Sequence, residues 1–147
     1  MNRTLLFIAL LVILRQVALP ANLDERSSAM WESLEWRIKN PTHRGNPFDL
    51  IAKVTFTHTS IGRTHTSELF YTGKNEWRLR FTGTRTGEWT FLTRCDGSDG
   101  TSNDAELHGH AGRVTVKPQS DSKIKGFLTH RGGKYALMVR DDQDLQG

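Results

Sequence analysis

Glu76-Trp77-Arg78-Leu79-Arg80-Phe81 and Glu88-Trp89-Thr90-Phe91-Leu92-Thr93 decide the fold. In the first run Trp77, Leu79 and Phe81 recur with period two while Arg78 and Arg80 fall on the opposite face. In the second, Trp89 and Phe91 alternate with Thr90. Successive side chains of a strand point to opposite faces, so this pattern predicts two half-buried antiparallel strands. Thr82 to Gly87 is rich in Thr and Gly and short enough to join neighbouring strands, and the pair reads as a β-hairpin.

The same alternation recurs on both sides. Leu34, Trp36 and Ile38 alternate with Glu35, Arg37 and Lys39, and Asn40-Pro41 closes that strand. Pro47 belongs to the turn before the next strand, because proline restricts its predecessor and cannot donate to a ladder. There Leu50, Ala52, Val54 and Phe56 alternate with Ile51, Lys53, Thr55 and Thr57; Thr66 to Thr72 reads as a further strand. Gly112 to Lys117, with Val114 and Val116 on one face and Pro118 as its stop, ends the series. Six such strands and no stretch of helical period predict an all-β, antiparallel β-sandwich over residues 30–118.

The order of three motifs adds a family resemblance: Leu69-Phe70-Tyr71-Thr72-Gly73, then Trp77-Arg78-Leu79-Arg80-Phe81, then Thr86-Gly87-Glu88-Trp89-Thr90-Phe91. It resembles the Ig-like N-terminal domain of unknown function that precedes a (β/α)8 barrel in proposed glycoside hydrolases, apiosidase-like proteins among them. That family's pattern is roughly a Gly-Phe-Tyr-Asp-Gly turn, a Trp-x-x-Arg-Phe strand and a Gly-Glu-Trp-x-(Tyr/Phe) strand. Here Leu69 replaces Gly and Thr72 replaces Asp. The Trp36 strand, the Asn46-Pro47-Phe48-Asp49 turn and Leu107-His108-Gly109-His110-Ala111-Gly112 also fall in order, so the resemblance covers Met30 to Pro118. It implies an Ig-like or fibronectin-like sandwich that is not itself catalytic, with the catalytic machinery in the barrel. In that family the chain enters the barrel through a hairpin and a Phe/Tyr-x-x-Asp-Gly turn; Val139-Arg140-Asp141-Asp142-Gln143-Asp144 departs from it. The expectation is a truncated or stand-alone copy of the N-terminal module.

Composition fits one soluble domain: 147 residues, 24% charged and 36% hydrophobic. The formal charge of +4 is spread among acidic residues and does not form the basic patch that nucleic-acid binding requires. Cys95 is the only cysteine, which excludes an intrachain disulfide and a CxxC site. At the N-terminus, Arg3 followed by the apolar run Leu5 to Leu14 reads as a signal peptide over 1–21, too short to span a bilayer comfortably. Secreted or periplasmic export follows, with a membrane anchor as the alternative, because Arg15 ends the run abruptly and Leu19 stands where a small residue is preferred. Residues 22–29, polar and charged, read as a flexible lead-in. Pro118 to Lys125 reads as a linker, and 119–147 as that linker plus the truncated start of a following domain, with short strands at Gly126-Phe127-Leu128 and Tyr135 to Val139.

Candidate chemistry is sparse. Glu35, Glu68, Glu76, Glu88 and Glu106 could supply the carboxylate pair of a glycosidase, yet they fall on polar faces or in turns. His58, His65, His108 and His110 offer imidazoles without a third ligand at fixed spacing, and Asp96 to Asp104 misses the register of a calcium loop, so no metal and no cofactor is expected. Tryptophan faces stack on sugars, but Trp36, Trp77 and Trp89 share their strand faces with core residues. That leaves Trp31 as a candidate platform and Arg78 and Arg80 as candidates to grip a carboxylate or dock a neighbour. Three readings follow: a non-catalytic accessory or interaction module beside a glycoside hydrolase barrel; a carbohydrate-binding module contacting polysaccharide; or an enzyme, which would need two close carboxylates in a pocket.

Overall fold

The computed structural model describes residues 21–124, 126–131 and 134–137. Among the described residues eleven strands follow one another: β1 (Ala21–Asn22), β2 (Arg26–Ala29), β3 (Ser33–Lys39), β4 (Lys53–His58), β5 (Thr64–Glu68), β6 (Phe70–Gly73), β7 (Glu76–Thr82), β8 (Gly87–Arg94), β9 (His110–Lys117), β10 (Leu128–Arg131) and β11 (Lys134–Leu137). A single turn of 3-10 helix, Pro47–Asp49, lies between β3 and β4. One sheet runs β1-β9-β8-β4-β5, with β2 also on β9; the other runs β3-β7-β6; β10 and β11 form a separate hairpin. The molecule is all-β, and its two larger sheets pack face to face as a sandwich.

Alternation places the core between the sheets. Trp36 and Ile38 of β3 and Trp77, Leu79 and Phe81 of β7 face Val54 and Phe56 of β4, Trp89 and Phe91 of β8, and Val114 and Val116 of β9, all buried. Rings interlock across the gap: Trp36 lies 4.9 Å from Phe91, and Phe56 stacks on Phe81 at 4.4 Å. Aromatic side chains of this size supply most of the apolar area a small sandwich can bury.

Three expectations are corrected. The Trp77 and Trp89 runs are both strands, but they do not pair as a hairpin: β7 pairs with β3 and β6, β8 with β4 and β9. Both runs carry heavy aromatic residues on one face, and crossing between sheets lets those faces meet, Phe81 against Trp89 at 5.3 Å. Side-by-side pairing would have stacked them on one surface. Thr66 to Thr72 is not one strand, because the chain leaves β5 at Glu68, buries Leu69, and joins the other sheet as β6. The flexible lead-in at 22–29 is instead built into the sandwich. β1 and β2 run parallel to β9, Arg26 opposite Val114 and Ala29 opposite Lys117. The Trp36 indole donates to the Asp24 carbonyl at 2.9 Å, and the Arg26 guanidinium lies over the same ring at 5.1 Å. A polar edge strand buries little of its own, so period-two reading passes over it, yet it caps the β9 edge. The expected signal peptide lies, except for Ala21, outside the described residues.

Candidate functional site

The outer face of β3-β7-β6 collects the charges that alternation left outside. Register sets Glu35 opposite Arg80, Arg37 opposite Arg78 and Lys39 opposite Glu76. Glu35 accepts from Arg78 at 3.2 Å and closely from both Nε and Nη2 of Arg80, while Glu76 accepts from Arg78 at 3.0 Å. The hydrogen bond from Arg80, joined by that from Arg78, holds the Glu35 carboxyl below its usual range against a smaller opposing effect of burial. The hydrogen bond from Arg78 does the same for Glu76. A glycosidase acid must hold its proton near neutral pH, which calls for a raised pKa. These two carboxylates are tuned the other way. Arg78 and Arg80 are thus brought together, but they are occupied by one another's acidic neighbours; Arg80 also lies over the Phe70 ring at 5.1 Å.

The other candidates lie apart from this face. Glu88 pairs with Arg113 at 3.3 Å, and Glu68 and Glu106 are exposed. Trp31 is half-buried rather than a free platform, its ring edge-on to Phe127 at 5.4 Å. Trp36, Trp77 and Trp89 are no more than 2% exposed, so none can stack on a sugar in this conformation.

His58, the last residue of β4, is buried against Trp89 at 4.9 Å and shares a 3.0 Å hydrogen bond with the Thr86 carbonyl. His65 is exposed on β5, His108 accepts from the Cys95 amide at 3.2 Å, and His110 bonds the Glu106 carbonyl at 2.7 Å. Among the described residues no three His, Cys, Asp or Glu side chains gather as a metal site. In the Asp96 to Asp104 loop, Asp96 accepts from Ser98, which lowers its pKa, Asp99 pairs with Arg94, and Asp104 accepts from the Glu106 and Leu107 amides. Those carboxylates are engaged by donors in the loop and in the strand beside it. Cys95 is buried, which pushes its thiol pKa up and away from nucleophilic use.

Two features went unread in the sequence. Asn40, taken only as a strand end, is fully buried and donates to Asp104 at 2.7 Å while its carbonyl accepts from the Thr42 hydroxyl and the His43 amide. Phe48 is 78% exposed at the tip of the Asn46–Asp49 turn, where Asn46 caps the Phe48 amide at 3.2 Å. Its ring is edge-on to Tyr71 at 5.7 Å, and Tyr71 in turn packs on the buried Trp77 at 5.0 Å. An exposed aromatic is thus held by a second ring that itself rests on the core. Proline before it and a capping asparagine signal the turn, but not its exposure.

A family described as Domain of unknown function (DUF5060) matches residues 27–96. A proposed glycoside hydrolase from Bacteroides vulgatus ATCC 8482 aligns with a TM-score of 0.63 and 27% identity, over 81% of this chain and 21% of that one. The chain thus spans about a fifth of the length of that hydrolase. The CARDB domain of the PF1109 protein from Pyrococcus furiosus, solved with di-metal ions, aligns over 65% of this chain and 86% of that domain. Its identity is 17% and its TM-score 0.32, too low to carry an argument. No curated protein sequence matches the chain significantly.

Proposed function

We propose that this chain is a non-catalytic accessory or interaction domain, akin to the N-terminal module of secreted glycoside hydrolases. The observation that carries the reading is the likeness to one fifth of a proposed hydrolase, in which the remaining four fifths have room for a catalytic domain. Strand order supports an Ig-like module: β3-β7-β6 against β5-β4-β8-β9 follows the B-E-D and C′-C-F-G arrangement of immunoglobulin-type sandwiches. Carboxylates held ionised by arginine favour a structural over an acid–base role. The buried tryptophans weigh against a carbohydrate-binding module.

Phe48, preorganised by Tyr71 and Asn46, is the anchor such a module would offer a barrel. Single aromatic anchors carry about 2 kcal/mol or more of many interfaces. The test is a chimera in which this chain replaces the matching fifth of the Bacteroides hydrolase. The chimera should melt in one transition above that of the hydrolase lacking the segment, and Phe48→Ala should lower that transition without changing the melting of the isolated module. Two independent transitions, with the hydrolase part melting as it does alone, would contradict the reading.

A further inference from the structure

We propose that Trp31, Gln119 and Phe127 form a rigid joint that fixes the direction in which the chain leaves the sandwich. Pro118 to Lys125 follows the last sandwich strand and reads in sequence as a linker, which would let the strand expected at Gly126-Phe127-Leu128 swing freely. The structure gives Gln119 and Asp121 partners instead. Met30 donates to the Lys117 carbonyl at 2.8 Å, closing the ladder between lead-in and β9, and Gln119 donates from its side chain back to the Met30 carbonyl at 2.9 Å. The Gln119 side-chain carbonyl accepts from the Asp121 amide at 2.8 Å, and Asp121 accepts from the Lys123 and Ile124 amides, which ties residues 119–124 to one another.

Trp31 completes the joint. Its φ of 76° puts a bulky residue in the left-handed region, where it is a conformational outlier. Such a conformation persists where the surroundings over-determine it. Here the Trp31 amide donates to the Gly83 carbonyl at 2.9 Å, and the half-buried ring meets Phe127 edge-on at 5.4 Å with the planes at 85°. Phe127 immediately precedes β10, which pairs with β11 from Leu128 opposite Leu137 to Arg131 opposite Lys134. The hairpin is therefore tied to the sandwich at the residue just before its first strand. Strained backbone, ring pair and glutamine latch bring residues 30–31 and 119–127, distant in sequence, to one corner, with the Gly83 carbonyl beneath them. The joint stands whatever the identity of a neighbouring domain, and so does not depend on the hydrolase reading.

The test is 15N relaxation on the full chain. Amides of residues 126–131 should show order parameters near those of the sandwich strands, about 0.85, and Phe127→Ala should drop them below about 0.6 while the sandwich amides keep theirs. Tryptic scission after Lys123 should accelerate on the order of tenfold in Phe127→Ala, the worth of one aromatic pair. Trp31→Gly, which removes ring and strain together, should free the segment in the same way, with Phe127→Ala sufficient for the test if that variant misfolds. Order parameters below about 0.6 in the unmodified chain, or no change on Phe127→Ala, would overturn the joint.

Discussion

Replacing Trp36 by alanine is the sharpest probe of the core. The ring is 1% exposed, packs on Phe91 at 4.9 Å and on Phe56 at 6.5 Å, and so bridges the two sheets. Its indole N–H also donates to the Asp24 carbonyl, and its face carries Arg26. Truncating a buried tryptophan costs about 3–5 kcal/mol through lost transfer and a residual cavity. Releasing the lead-in adds about 1 kcal/mol for the hydrogen bond. Domains of this size hold only about 5–15 kcal/mol in all, and each kcal/mol shifts Tm by about 4–8 °C. Thermal unfolding followed by circular dichroism should therefore show a Tm at least about 12 °C lower, or no cooperative transition. Trp36→Phe, which keeps ring bulk and loses the N–H, should recover most of the loss. A Tm within about 3 °C of the parent for Trp36→Ala would refute the packing described here.

Two further outcomes follow from the same structure. A β-carbon on Gly83 would sit 2.5 Å from Val116 Cγ2, so Gly83→Ala should cost about 1–3 kcal/mol by overpacking in denaturant unfolding. Gly83→Ala paired with Val116→Ala should restore part of it; a neutral single substitution would count against that close approach. Glu35 and Glu76 have folded pKa values below their usual 4.5, so the stability they add is complete above that pH and is lost as pH falls through the lower folded values. Urea midpoints should decline on the acid side, with a shallower slope in Glu35→Gln; identical slopes would remove the arginine pairing from the account.

Strand existence was legible because alternation is a local property. Trp36 and Ile38, Val54 and Phe56, Trp77 through Phe81, Trp89 and Phe91, and Val114 and Val116 all face inward as period two required. Pairing was not legible, because the same alternation serves a hairpin and a crossing between sheets, and only the need for two aromatic faces to meet decides for the crossing at Thr82 to Gly87. The β5 to β6 switch at Leu69 escaped for a related reason: one inward leucine in a run of polar residues marks a corner only once both sheets exist. β1 and β2 carry almost no apolar signal and are held by backbone pairing and by Trp36. Of the candidate site, Arg78 and Arg80 were visible as an outer pair, and Glu76 two residues before Arg78 shares their face of β7, whereas the pairing of both arginines with Glu35 depends on β3 lying beside β7. The exposure of Phe48 depends on what the turn leaves uncovered, which no spacing in sequence encodes.

The accessory role proposed for this chain predicts that the chain itself cleaves no glycoside. General acid–base cleavage of a glycoside needs a proton donor and a base or nucleophile about 5–9.5 Å apart with environments that separate their pKa values. Glu35 and Glu76 instead share Arg78 and are both held ionised, and Glu88 faces Arg113. The direct measurement is hydrolysis of aryl glycosides and plant polysaccharides by the purified full chain, followed by product release over hours. No turnover above the uncatalysed rate is expected. Turnover that disappears in Glu76→Gln or Glu88→Gln, with the melting curve unchanged, would contradict the account.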